Sequence, residues 1–240
     1  MKVLITGGSG KLGKELVKAF PESLHPTRQE LELRNRSIVS NYIAQHKPET
    51  VIHLAAWTDV RGCEANKSKA WENNVIATEN LVEFCQQEVK ECYFVYMSTA
   101  CVFRGDKGDY VETDVPYPDN FYSLTKLIGE FIAKRMKNHL IIRANFVPRE
   151  KWKYERAFTD RFGTYLFADD LACAIKDVVE RRRTGIVHIA GKEKLSMFEI
   201  AKITNQASTP IPLDDIDLPL PHDMSLRSIR IKPYELRRKV

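Results

Sequence analysis

The chain has 240 residues, 43% of them hydrophobic and 29% charged, with a formal net charge of +5. This is the balance of an ordinary globular protein, long enough for one α/β domain or for a large and a small lobe. No apolar run approaches membrane-spanning length, the N-terminus does not read as a signal peptide, and the five cysteines (Cys63, Cys85, Cys92, Cys101 and Cys173) form no C-x-x-C pair; the expectation is a cytoplasmic protein with reduced thiols and no membrane partner.

The first stretch, MKVLITGGSGKLG, organises the rest. Val3, Leu4 and Ile5 read as a short buried strand, and the run from Leu12 to Phe20 reads as a helix. Gly7, Gly10 and Gly13 lie between them in the form G-x-x-G-x-x-G. A strand, a glycine turn and a helix N-terminus make an anion site, because glycine admits a pyrophosphate close to the backbone and the first-turn N–H groups face its charge. Dinucleotide binding is the expectation. Ser23 to Thr27 reads as a second strand, with Pro26 near its end. Ile38 to His46 reads as a helix and Val51 to Ala55 as a strand. A long helix is expected from Lys67 to Val89, burying Trp71, Val75, Thr78, Val82 and Cys85. Tyr93 to Met97 reads as a strand ending at Ser98 and Thr99. A polar connection from Arg104 to Asp119 leads to a helix from Asn120 to Met136, with Leu124, Ile128, Phe131 and Ile132 as its buried stripe. Leu140 to Ala144 is a strand and Ala168 to Glu180 a helix, with Leu171, Ile175, Val178 and Val179 inward. Ile186 to Ala190 is a last strand and Met197 to Thr204 a last helix. The proline-rich stretch from Ser208 to Pro221 reads as a loop ordered by packing.

Alternating strands and helices predict a doubly wound parallel sheet of the Rossmann type, with helices on both faces and a ligand crevice at the carboxyl ends of the strands. Residues 1–145 are read as the dinucleotide-binding core. Residues 146–240 supply the last sheet elements, about 164–190, and a small C-terminal substrate lobe within one structural unit. That lobe draws on Phe146 to Phe162 and Leu195 to Val240. The glycine loop with Lys11 and Leu12, the Leu54-Ala55-Ala56 segment, Ser98-Thr99 and Asn145 all follow predicted strands and should converge there.

The second strand ends at Thr27-Arg28, with no carboxylate until Glu30. An arginine at that place pairs with a 2′-phosphate, so NADP(H) is favoured over NAD(H), which the same loop would admit. Glu32-Leu33 is placed at the adenine end. Tyr122 and Lys126 form Y-x-x-x-K at a helix start, on one face. An ammonium beside a phenol lowers the phenol's pKa, and the tyrosine then exchanges a proton with a carbonyl or alcohol oxygen. Thr99 is placed to bond that oxygen. The basic residues are dispersed among acids, which argues against nucleic acid; Arg181 to Arg183 and Arg237 to Lys239 are placed at helix ends. Six scattered histidines without a Cys/His cluster argue for no metal site. His53 and His188 read as satisfied core or edge residues, and Asp169-Asp170 as the cap of their helix. Trp57 packs on cofactor or covers a loop.

The segments TGGSGKLG, VIHLAA, FVYMSTACVF, ETD, NFYSLTKLIGE and YLFADDLA together resemble the extended short-chain dehydrogenase/reductases, and most closely the dTDP-4-dehydrorhamnose reductase branch. The resemblance covers residues 1–145 well and Thr164 to Gly191 moderately. It implies NADPH-dependent reduction of the 4-keto group of a nucleotide-linked 6-deoxysugar, in dTDP-rhamnose biosynthesis. Thr99, Tyr122 and Lys126 take the triad roles. Gly10, Lys11, Leu12, Leu54, Ala55 and Ala56 take cofactor contacts together with Tyr122 and Lys126, beside Gly7 and Arg28, which the glycine loop and the strand end already place there. Thr99, Ala100, Cys101 and Asn145 face substrate. Asn74 and Gly129 match a family asparagine and a family glycine, the latter at a close helix contact. The family's S-T-D-Y is S-T-A-C here, which replaces an acid and a tyrosine by Ala100 and Cys101, and the substrate lobe is short. Two alternatives follow: a nucleotide-sugar epimerase or epimerase-reductase using Cys101 as acid and base, and a non-catalytic NADP-binding regulatory subunit. A homodimer is left open.

Overall fold

A computed structural model describes residues 1–238. In chain order its elements are β1 (Val3–Thr6), α1 (Lys11–Ala19), α2 (Arg36–His46), β2 (Thr50–His53), α3 (Val60–Ala65), α4 (Lys67–Trp71), α5 (Ala77–Glu88), β3 (Tyr93–Met97), α6 (Phe121–Ala133), β4 (Asn138–Ala144), β5 (Phe146–Val147), β6 (Arg156–Phe158), β7 (Phe162–Gly163), β8 (Leu166–Phe167), α7 (Ala168–Glu180), β9 (Gly185–Ile189), β10 (Leu195–Ser196), α8 (Met197–Thr204) and β11 (Thr209–Ile211). Five strands form the central parallel sheet in the order β1-β2-β3-β4-β9. Period-two alternation sends Val3, Ile5, Val95 and Ile142 to one face, under α1 and α7. Leu4, Val51, Phe94, Tyr96 and Ile141 go to the other, under α2, α5 and α6. Both faces are covered, so the strands are largely apolar, with His53, Arg143 and His188 as buried exceptions. A third cluster, including Val102, Phe103, Tyr165, Ile200 and Met224, joins the C-terminal segments to the sheet's end.

The expected strand at Ser23 to Thr27 is reduced to a single bridge between Leu24 and Leu4. Leu24 exchanges both backbone bonds with β1, at 2.8 Å each, and Pro26 then supplies no donor for a further rung. The chain therefore passes to one side of β1 at Leu24 and to the other at β2. This reversal is the switch point at which a crevice opens.

Two helices differ from their expected faces. The long helix is interrupted by a π turn over Glu72–Ile76. The extra residue re-phases the helix, so Val75, Thr78, Val82 and Cys85 are buried as expected while Trp71 is 40% exposed. In α6 the expected stripe is turned outward: Phe131 is 60% and Leu124 38% exposed, and only Ile132 is buried. The inward face carries Ser123, Lys126, Gly129 and Glu130. Asn120 caps this helix through its side chain to the Ser123 N–H. Gly129 makes the expected close contact, since a Cβ there would stand 2.0 Å from the Tyr96 hydroxyl.

Glu130 explains the inversion. Its carboxylate accepts from Arg143 Nε at 2.8 Å and Nη2 at 2.7 Å, and from Ser98 Oγ at 2.6 Å. The Arg143 and Glu130 side chains are 2% and 1% exposed. Breaking one side of a buried pair leaves a charge without a partner, at about 3–5 kcal/mol. Glu130→Gln is therefore expected to lose about that much stability in urea unfolding. Joint replacement of Glu130 and Arg143 by methionine should lose less than the two single changes summed. Additive losses would show that the pair does not act as a unit.

Candidate functional site

A crevice of about 870 Å³ runs across the carboxyl ends of β1 to β4. The sequence-predicted Gly7, Gly10, Lys11, Leu12, Arg28 and the Leu54-Ala55-Ala56 segment line one end. Thr99, Cys101, Tyr122, Lys126 and Asn145 line the other. Ala100 does not reach it: it is fully buried within a 3₁₀ turn spanning Ala100–Val102.

The glycine loop is held flat against the end of β2. Gly7 has φ +75°, and a Cβ on it would lie 2.8 Å from the Ala55 nitrogen, so only glycine fits both the conformation and the space. Gly10 stands at the N-terminus of α1 with no side-chain cap. The first-turn N–H groups are thus available to an anion, and the cradle fits a dinucleotide pyrophosphate. Lys11 reaches Glu150. Beneath the loop, Thr6 Oγ1 and His53 Nδ1 are 2.6 Å apart and His53 Nε2 and Thr78 Oγ1 2.9 Å apart. Burial, followed by the Lys126 charge, pushes His53 down to about 3. His53 is the satisfied core residue that the sequence implied. His188 is half so: its Nδ1 lies 3.0 Å from the Tyr110 carbonyl, while its Nε2 has no partner.

Beside the glycine loop, Arg28 is not a free solvated charge. It donates to Glu32 at 3.0 Å and to Asn73 at 3.1 Å. Glu32 also accepts two bonds from Arg34, at 2.9 Å each. Arg34, which sequence reasoning did not single out, lines the same end. Its bonds, and then those of Arg28, hold the Glu32 carboxyl at about 2. Arg34 also lies 3.7 Å from Glu72, so two guanidinium groups, shared between two carboxylates, stand where Arg28 alone was expected.

At the other end, Asn74 is buried with its carboxamide bonded to both the Trp57 N–H and C=O and to Thr125. It ties the loop after β2 to α6. Trp57 lines the crevice with Lys69 over its ring at 4.4 Å. Thr99 Oγ1 accepts from the Cys101 N–H at 3.1 Å, which fixes its rotamer. Tyr122 and Lys126 both face the crevice but are not hydrogen-bonded to each other. The Lys126 ammonium lies 4.2 Å from the Tyr96 ring centroid, a favourable but incomplete replacement for water. Burial pushes Lys126 down to about 7 against a smaller opposing pull from Glu130. Burial also pushes the Tyr122 phenol above its ordinary value. The expected lowering of the phenol by the ammonium is therefore not what governs this arrangement. Desolvation dominates both groups.

Asn145 donates from Nδ2 to the Met224 carbonyl at 2.8 Å, so its amide anchors the C-terminal segment to the crevice wall. Asp169 and Asp170 sit in the first turn of α7 without capping it by side chain. They pair with Arg149 and Arg237 instead. Arg181 to Arg183 do follow a helix, whereas Arg237 and Arg238 lie outside any helix and Lys239 falls outside the described residues. Arg161 is not marked by any sequence motif. It is 9% exposed, lines the crevice near Cys101, and lies between two very short strands that carry no periodic signal.

The family model described as the RmlD substrate binding domain matches residues 1–217. The chain is 26% identical over 226 residues to the dTDP-4-keto-6-deoxy-D-glucose reductase of Streptomyces niveus, covering 84% of this chain and 76% of that one. It is 27% identical over 237 residues to the methionine adenosyltransferase 2 subunit beta of Rattus norvegicus, covering 83% and 70%. A crystal structure of dTDP-4-dehydrorhamnose reductase from Bacillus anthracis in complex with NADP superposes with a TM-score of 0.85 at 25% identity, covering 95% of this chain and 91% of that chain.

Lys126 makes a pH prediction. Between pH 7 and 10.5 the unfolded chain holds a proton on this residue that the folded chain has released. The penalty is full below that window and gone above it, so stability rises with pH across it. Urea midpoints at pH 7.5 and 9.5 should show the rise in the native protein and a flatter response in Lys126→Met. Parallel slopes would mean that Lys126 keeps its ordinary pKa.

Proposed function

The chain belongs to the RmlD substrate-binding family, and from that premise we propose that it reduces the 4-keto group of a nucleotide-linked 6-deoxysugar with NADPH. The observation that carries this reading is one crevice with a glycine-floored, cation-rimmed end and an end where Thr99, Tyr122 and Lys126 face the same space. Its matched relatives include reductases of dTDP-4-keto sugars, and one solved neighbour holds NADP.

Each residue has a task set by its surroundings. The loop from Gly7 to Leu12 takes the pyrophosphate, and Arg28 with Arg34 takes the 2′-phosphate by charge-assisted bonds. The Leu54-Ala55-Ala56 segment forms the apolar wall of the cofactor site. When bound, NADPH supplies the hydride. Thr99 donates to the ketone oxygen and orients it. Tyr122 gives up its proton to that oxygen as negative charge develops. A phenol held in its neutral form by burial arrives protonated, as a donor must. Lys126, when protonated, sets its ammonium on the same helix face as the phenolate that remains and stabilises that anion, so no further proton has to be delivered. Cys101 and Asn145 form the sugar-facing wall. The lining favours phosphate-bearing ligands, with Lys11, Arg28, Arg34, Lys69, Lys126 and Arg161 set against Glu32.

The test is NADPH oxidation by purified protein given a dTDP-4-keto-6-deoxysugar, with and without a 3,5-epimerase. Turnover only with the epimerase identifies the epimerised ketone as substrate. No turnover in either, with NADPH still bound, would refute the reading. Tyr122→Phe should lower turnover by roughly 10²–10⁴-fold while NADPH titrates as in the native protein; unchanged turnover would remove Tyr122 from the mechanism. Arg28→Ala should weaken NADPH more than NADH, and equal losses would remove the 2′-phosphate assignment.

A further inference from the structure

Arg161 is a charged group with very little to hold its charge. Its guanidinium donates from Nε to the Pro221 carbonyl at 3.3 Å, and its other contacts are sulfur atoms: Met224 Sδ at 3.5 Å and Cys101 Sγ at 3.7 Å from Nη2, and Met197 Sδ at 4.0 Å from Nη1. No carboxylate of the described residues pairs with it. Thioethers and thiols are weak acceptors, so a cation that is nine-tenths buried has given up water for almost no compensation. The other buried arginine, Arg143, has a bidentate carboxylate.

The position of Arg161 is fixed from both sides. Its carbonyl accepts from the Met197 N–H at 2.8 Å, at the start of α8, and the following residue, Phe162, bonds His222 and Met224 through its backbone at 2.6 and 3.0 Å. The backbone from which the guanidinium projects is thus held in place. A second polar group nearby is also without a partner. The Tyr165 hydroxyl lines the same wall, on a residue that is 2% exposed, and makes no hydrogen bond. Arg161 acts on it through space, as does Cys101.

Thr99 and Arg161 are linked by one intervening residue: the Thr99 hydroxyl is bonded to the Cys101 N–H, and the Cys101 thiol touches Arg161. All three line the crevice, so the guanidinium stands on the same wall as the predicted reaction centre. We propose that Arg161 is the anion-binding residue of the substrate half of the crevice, taking the diphosphate of the sugar nucleotide, with the Tyr165 hydroxyl as an auxiliary donor. The assignment rests on the nucleotide-sugar reading for the identity of its ligand. The anion site itself does not depend on turnover.

Calorimetric titrations of the full chain, saturated with NADPH, test this with two probes, dTDP and inorganic pyrophosphate. Arg161→Gln should weaken dTDP by at least tenfold, Arg161→Lys should recover part of the loss, and both variants should bind NADPH as the native protein does. Raised KM for the sugar nucleotide with little change in kcat is the matching kinetic signature. Unchanged dTDP binding in Arg161→Gln overturns the proposal, as does an equal loss of NADPH and dTDP, which would mark Arg161 as a structural plug. Failure of the native protein to bind either probe overturns it as well. Pyrophosphate binding that depends on Arg161, without any dTDP binding, keeps the anion site and overturns both its assignment to a nucleoside diphosphate and the nucleotide-sugar reading. Tyr165→Phe should give a smaller loss than Arg161→Gln, since it removes one neutral donor rather than a charge.

Discussion

The buried carboxylate of Glu130 sets the geometry on which the crevice depends. It joins the end of β3 through Ser98, the body of β4 through Arg143, and α6 on which it sits. Thr99 follows Ser98, Asn145 follows β4, and Tyr122 and Lys126 precede Glu130 on α6. A single ionic node therefore ties together the elements that carry Thr99, Tyr122, Lys126 and Asn145. The node is demanding, because a charge this deep is tolerated only while its geometry is complete. Arg143 Nη1 is left without a hydrogen-bond partner, and its guanidinium lies 5.0 Å from the Phe103 ring. The aromatic face offers the remaining charge partial compensation.

That node also forces α6 to violate the ordinary rule for a helix on a sheet. The polar residues Lys126 and Glu130 turn inward, Gly129 lets the helix approach Tyr96, and Phe131 is displaced to solvent. Apolar periodicity alone points the wrong way here because it registers transfer free energy and not a bonded network. Elsewhere the same reading holds. The strand at Tyr93–Met97 and the helices at Ala168–Glu180 and Met197–Thr204 fall where pattern places them. The last begins with a capping box between Ser196 and Glu199, a local signal that needs no tertiary context.

The crevice was legible to the extent that its parts are local. A glycine loop, a Y-x-x-x-K helix start and a hydroxyl at a strand end each carry their own spacing, and the strand order brings them together. Arg34 and Arg161 were not legible, for different reasons. Arg34 matters through Glu32, whose carboxylate it shares with Arg28; no spacing rule marks a charge that acts by surrounding another. Arg161 depends on segments distant in sequence, around Cys101, Met197 and Met224. The reduction of the Leu24 strand to one bridge depended likewise on Pro26 meeting the sheet edge.

Relatives of near-equal identity include a dTDP-4-keto-6-deoxy-D-glucose reductase and a methionine adenosyltransferase subunit, so sequence similarity alone does not separate the readings, and the site must. The groups that cost this chain the most are informative. Lys126 is buried over an aromatic ring, Arg161 among sulfur atoms, and the Tyr165 hydroxyl without a bond. All three line one crevice, and apolar residues of similar size would pack there at lower cost. A cofactor-binding subunit needs the glycine loop and the cations near Glu32. It has no use for a desolvated lysine and phenol beside a fixed threonine, nor for a buried arginine without a carboxylate on the same wall. The concentration of uncompensated polar groups at the reactive end is the physical mark of a site whose stability has been traded for chemistry.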